Sequence, residues 1–331
     1  LFAVDGTMNE CGDVPARYFR RLRGTACARL ALLLLAAGPA CQPPSRLRSP
    51  ERFANGIVFV LPGIEGRSIW NRNIAVGLDR GGVDAAIEVY DWTIGLPAVY
   101  NLIDIYRNRR EARMLAGRIV EHRLRYPVSP VHLIGHSGGG GIAVLTLEAL
   151  PAGCEIDMAI LLAPALSPNY DLTAALARTR YGICNFYSHY DIGFLTVGTT
   201  VFGSVDRDLG PSAGAVGFRE PPGLSAMGRE LYARRLRQVA WTPELAGLGA
   251  SGSHFGWASE QFAAQYLAPL IRQNRLLVQP RGGSRQSVGE KTWSGHPVRV
   301  FAAWRPGQPG SVALVQRAAR GAGEARPEGY E

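Results

Sequence analysis

Residues 131–150 read VHLIGHSGGGGIAVLTLEAL, and no other stretch restricts the fold as much. The short continuous apolar run VHLIG has the pattern of a strand buried on both faces. A mostly apolar run of helical length, GIAVLTLEAL, follows. Between the two stand Ser137 and a series of glycines, with no bulky residue after the serine. A strand that turns this sharply into a helix fits a sheet whose strands are joined by helical crossovers, and crossovers make a sheet parallel.

The rest of the chain repeats this alternation. Apolar strand patterns fall at 56–63, 85–92, 131–135, 156–166, 183–189 and 236–241. Helical spacing falls at 68–82, 102–125, 141–150, 172–182 and 257–273. The expected class is therefore α/β, a mainly parallel sheet of about six strands with helices on both faces. The chain of 331 residues is 47% apolar and 19% charged, which is ordinary for a globular protein and excludes wholesale disorder.

Ligands in such sheets bind at the C-terminal strand ends, where Ser137 lies. Gly135 and Gly139 bracket it in G-H-S-G-G, a match to G-x-S-x-G, with His136 at the variable position. A sharp strand-to-helix turn strains the serine backbone and brings the chain so close to its neighbours that side chains two residues away must be tiny. The helix N-terminus then offers free N–H groups, that of Gly138 first, to an oxyanion. The alternatives for a Gly-rich turn do not apply: the chain has no G-x-x-x-x-G-K-[ST] phosphate loop, and G-x-G-x-x-G is absent at this turn. A serine nucleophile needs a base, and the base needs an orienting carboxylate. Asp191, just past the fifth strand, and His254, in the Gly/Ser loop LGASGSHFGWAS before the last helix, are the candidates. Asp171 and Asp206 are alternative carboxylates. His122, His132, His136, His189 and His296 are the other imidazoles, and Glu65 reads as a rim group.

The order Ser137, Asp191, His254 and the G-x-S-x-G turn resemble the α/β-hydrolase superfamily, and the resemblance covers residues 55–273. It implies that LPGIEG after the first strand is the oxyanion loop, with the Ile64 N–H as a second donor beside that of Gly138. It further implies a serine hydrolase acting on carboxylic esters, small or lipid-like, through a Ser137–His254–Asp191 triad and an acyl-enzyme. An acyltransferase and a non-catalytic binding protein of the cell envelope are the alternatives on this fold. No metal or organic cofactor is implied. Trp70, Tyr90 and Trp92 are candidate walls of an acyl pocket, and the Gly/Pro-rich texture of 190–235 predicts no stable helical cap.

The ends read differently. Residues 1–41 hold Arg17, Arg20, Arg21 and Arg23, then an apolar run from Ala26 to Ala37, then small residues before Cys41, the pattern of a secretory leader. Cys41 followed by QPPSRLRSPERF is similar to the start of a bacterial lipoprotein, although Gly38 stands where the lipobox has leucine. The expectation is export to the periplasm or envelope, with a possible membrane tether through Cys41 and a linker over 42–54. Cys154 and Cys184 are left for the mature part, either disulfide-bonded or as free thiols, and no zinc or redox spacing occurs. Residues 274–331 form a Gly/Arg/Pro-rich tail, a hairpin or disordered. Net charge is +9, carried almost wholly by arginine, with Lys291 the single lysine. The charge is scattered with no basic recognition helix, so no nucleic-acid partner is expected.

Overall fold

The computed structural model describes residues 43–95, 98–191, 205, 206 and 210–273. The expected leader with Cys41, and the tail beyond residue 273 with His296, lie outside them.

Six strands form one sheet in the order β2-β1-β3-β4-β5-β6, every neighbouring pair parallel. They are β1 (Ile57–Leu61), β2 (Ala86–Val89), β3 (Val131–His136), β4 (Met158–Leu162), β5 (Ile183–Tyr187) and β6 (Leu236–Ala240). β1, β3, β4 and β5 are buried at every residue, as their unbroken apolar runs predict, while the edge strand β6 is half-buried throughout. The main helices are α1 (Ile69–Arg80), α2 (Ile105–Arg125), α3 (Gly138–Ala149) and α4 (Ala226–Arg235), followed by a closing helical run over 256–273.

The chain moves from β1 outward to β2, then returns past β1 to β3 and on to β6. Right-handed crossovers in opposite directions put α1 and α2 on opposite faces. Accordingly α2 packs with α3, and α1 packs with the closing run. The reversal leaves a crevice between the C-terminal ends of β1 and β3, the place where open α/β sheets bind ligands. Leu61 pairs with Gly135 there, so the segment after β1 and the turn after β3 start level.

The α1–closing-run contact is unusually tight. A Cβ at Gly77 would overlap the Glu260 carbonyl oxygen and the Ala263 Cβ, and one at Gly81 would overlap Ala268 and Ala264. An Arg80–Glu260 ion pair spans the same seam. Phe186 of β5 meets Trp257, Phe262 and Tyr266 of the closing run at ring distances of 5.5–5.6 Å, anchoring that run beneath β5.

The structure changes several expectations. The 42–54 segment is not a plain linker: Ser45–Arg48 and Pro50–Asn55 are helical, and Leu47 is fully buried. The single helix expected over 102–125 is broken at Asp104, whose side chain accepts from Arg107 N and caps α2. The helix expected at 172–182 shrinks to Thr173–Leu176. The closing run contains a π turn over Ala263–Leu267 just before Pro269. Proline lacks the N–H that an α-helix needs four residues on from Gln265, and its ring crowds that carbonyl. Finally, the described part of 190–235 holds a helix that the sequence did not show, α4. It packs against Thr173–Leu176 and leads into β6, so it is a crossover and not a cap. Among the described residues no helix is long and apolar enough to cross a membrane.

Candidate functional site

The crevice is organised by the turn after β3. Ser137 has φ 53° and ψ −121°, a region costly to any residue with a Cβ, by about 1–3 kcal/mol. The flanking glycines have steric reasons. A Cβ on Gly135 would strike the Gly139 carbonyl, and one on Gly139 would strike the Leu61 and Pro62 carbonyls. Gly138 opens α3, so its N–H has no intrahelical acceptor. A Cβ there would lie 2.9 Å from Ile64 Cγ2, which places the two residues expected to supply the oxyanion donors next to each other.

Ile64 is held by three side chains that the sequence did not single out for this task. Trp92 Nε1 donates to Pro62 O (2.8 Å), Asn101 Nδ2 to Ile64 O (2.9 Å) and Asn71 Nδ2 to Gly66 O (3.0 Å). Gly66 N donates to Gly63 O (3.1 Å), closing a tight turn over 63–66. In a trans peptide the N–H opposes the preceding C=O, so the Ile64 N–H faces away from the turn's own hydrogen bond. Trp92 is thus a fully buried clamp on the loop, not a pocket wall. Tyr90 is core as well, with Arg118 over its ring.

Asp191 and His254, 63 positions apart, are brought together. His254 Nδ1 lies 2.8 Å from Asp191 Oδ2, and their side chains are 3% and 1% exposed. A carboxylate can only accept, so Nδ1 carries the proton and Nε2 is the nitrogen that can act as a base. Asp191 sits in a turn closed by its N–H on Ser188 O (3.0 Å), just past β5. The His254 loop is fixed by Trp241 Nε1 donating to Ala250 O (2.7 Å) and bends at Gly249 and Gly252, both with positive φ. Phe255 presents an edge-on contact to the His254 ring at 5.1 Å and stacks on Trp70 at 3.9 Å.

His136, expected only at the variable position of the turn, has a defined task. Its Nε2 donates to the His254 backbone O (3.0 Å), and the two rings are 4.8 Å apart. It therefore fixes the His254 loop to the residue preceding Ser137. Burial, aided by the charge of His254, drives the His136 pKa from 6.5 down to about 3. His136 is neutral in the fold and takes up a proton on unfolding, so its contribution is full above about pH 6.5 and is lost as pH falls toward 3. The His136→Gln protein keeps a donor there but has nothing to titrate. Between about pH 7 and about pH 4.5 it should lose about 2–3 kcal/mol less stability than the wild type, read from urea unfolding at each pH. Equal losses would show that His136 is not held neutral.

The rival residues have other partners. Asp171 Oδ1 accepts from Thr173 N and Asp206 Oδ1 from Ser167 N. His122 Nε2 pairs with Ser129 Oγ (2.8 Å), His132 is buried within β3, and His189 packs edge-on against Tyr187. Cys154 and Cys184 are free thiols. Glu65 keeps part of its surface accessible, and burial raises the pKa of its carboxyl against the pull of backbone donors and His254. Among the described residues no cluster of three or more His, Cys, Asp or Glu is placed to hold a metal ion.

No protein-family profile matches this chain, and no curated protein matches it. Solved structures similar to it include lipase B of Aspergillus fumigatus, at 14% identity and a TM-score of 0.44, with 70% of this chain and 55% of that one covered. This chain therefore spans about half of that lipase's length. A dienelactone hydrolase of Anabaena variabilis is similar at 17% identity and a TM-score of 0.39, over 67% of this chain and 87% of that one. A lipase-esterase related protein of Clostridium acetobutylicum is similar at 12% identity and a TM-score of 0.35, over 68% and 96%.

Proposed function

From the α/β-hydrolase fold of this chain we propose that it is a serine hydrolase that cleaves carboxylic esters through an acyl-enzyme. The observation that carries this reading is the buried His254–Asp191 hydrogen bond, with the His254 backbone tied to His136, the residue before the strained Ser137. In this mechanism His254 Nε2 takes the Ser137 proton as Ser137 Oγ attacks the ester carbonyl carbon. Asp191 holds the imidazole in the required tautomer and stabilises the imidazolium. The N–H groups of Ile64 and Gly138 receive the oxyanion. The imidazolium returns its proton to the departing alcohol, and water, activated by the same imidazole, then releases the acid and restores Ser137. We further propose that the catalytic domain works outside the cytoplasm, tethered through Cys41. That part rests on the leader sequence alone.

The test is covalent. A fluorophosphonate probe is expected to form one adduct at Ser137, mapped by peptide mass spectrometry, and the His254→Ala protein is expected to lose it. An intact protein that forms no adduct and cleaves no p-nitrophenyl ester would overturn the reading.

A further inference from the structure

Glu65 follows the proposed oxyanion residue Ile64 directly, and among the described residues no arginine pairs with its carboxylate. The groups that reach it are all donors: Ser68 Oγ at 3.2 Å from Oε1 and the backbone N–H groups of Glu65 and Gly63. Ser68 Oγ itself accepts from Asn71 Nδ2 (2.7 Å), so its proton is directed to Glu65. Ser68 and Asn71 are fully buried, which makes this a built support and not a solvated surface contact. The carboxyl lies over Gly63, where a side chain would collide with it.

Buried charges are normally paired. Among the described residues no arginine pairs with Glu65, and nearby ones are committed elsewhere: Arg67 to Asp91, Arg107 to Trp92 O and Asn101 Oδ1. The charge that bears on Glu65 is that of His254, and His254 already has Asp191 at 2.8 Å. A second carboxylate for the same imidazolium is redundant. The Trp70–Phe255 stack, its rings 16° from parallel, is tied to the same neighbours: Trp70 lies in the first turn of the helix that Ser68 caps, and Phe255 meets the His254 ring edge-on. Glu65, Ile64, Trp70 and Phe255 each keep part of their surface accessible, whereas Ser137, Asp191 and His254 are buried. A carboxylate beside aromatic faces is the chemistry that binds an alkylammonium.

We propose that the ester this site takes carries a positively charged ammonium group, held between the Glu65 carboxylate and the Trp70–Phe255 pair. This deepens the serine-hydrolase reading and rests on it. The test compares a choline ester with its neutral isostere, the 3,3-dimethylbutyl ester of the same acid, on the full chain. The wild type should favour the choline ester by about tenfold or more in kcat/KM. Glu65→Gln and Trp70→Leu should each lower that ratio, Glu65→Gln the more, with the loss falling on the cationic ester. A wild-type ratio near one overturns the proposal and needs no variant. So does a Glu65→Gln protein that loses both esters in equal measure, because Glu65 would then act through His254. If Ser137 takes the fluorophosphonate and the ratio is one, only the ammonium site falls. If neither ester is cleaved and no adduct forms, the hydrolase reading falls first.

Discussion

Ester hydrolysis by the Ser137→Ala protein is expected to drop by about 10⁶-fold in kcat, to the residual rate that the oxyanion donors and substrate binding alone support. Loss of the nucleophile removes the acyl-enzyme route outright. Folding should be spared, because the alanine keeps the same Cβ at the same φ of 53° and leaves the strain where it was. That expectation has a companion. Ser137→Gly removes the Cβ that makes this backbone costly and should be more stable than the wild type by about 1 kcal/mol in urea unfolding, while equally inactive. A Ser137→Ala protein with wild-type turnover of p-nitrophenyl esters removes Ser137 from the chemistry. A Ser137→Gly protein less stable than wild type would show that the surrounding contacts hold the serine side chain more strongly than the turn strains it.

Replacing Asp191 with asparagine should lower kcat by about 10⁴-fold. The substitution is nearly isosteric, so the contact at 2.8 Å can persist, but the amide can donate to Nδ1 and so select the tautomer with the proton on Nε2. The imidazole then faces Ser137 with a donor instead of a base, and an imidazolium formed there lacks its carboxylate. KM should move far less than kcat. As a control, Asp171→Asn, at a carboxylate that caps the Thr173 N–H, should leave kcat within about twofold. Comparable losses in the two variants would mean that Asp191 is not the orienting acid.

What the sequence made legible was whatever local chemistry forces. The turn at Ser137 could be read because its glycines are a steric necessity within five residues, and the central strands because short continuous apolar runs bounded by turn residues fit strands buried on both faces. Asp191 and His254 could be nominated because both follow strand ends at the ligand-binding rim. The clamps on the oxyanion loop could not. Trp92 reaches Pro62 across 30 positions and Asn101 reaches Ile64 across 37, and neither bond leaves a pattern in the neighbouring residues. The same holds for His136, whose partner carbonyl is 118 positions away. Two misreadings did have a local signal: Asp104 ahead of an apolar-periodic run is a helix cap, and Pro269 inside the last helix demands an irregular turn. α4 was hidden by its composition. AMGRELYARR shows no apolar face, since only Gly228 and Tyr232 of it are buried.

The glycine-lined seam between α1 and the closing run bears on how the proposed catalytic groups keep station. α1 carries the oxyanion loop at its leading end, and the closing run carries the His254 loop at its own. Two rods in backbone contact at Gly77 and Gly81 leave no slack to slide or splay. The proposed donor and base are therefore geared together through this seam, and one added methyl there would prise them out of step without touching either.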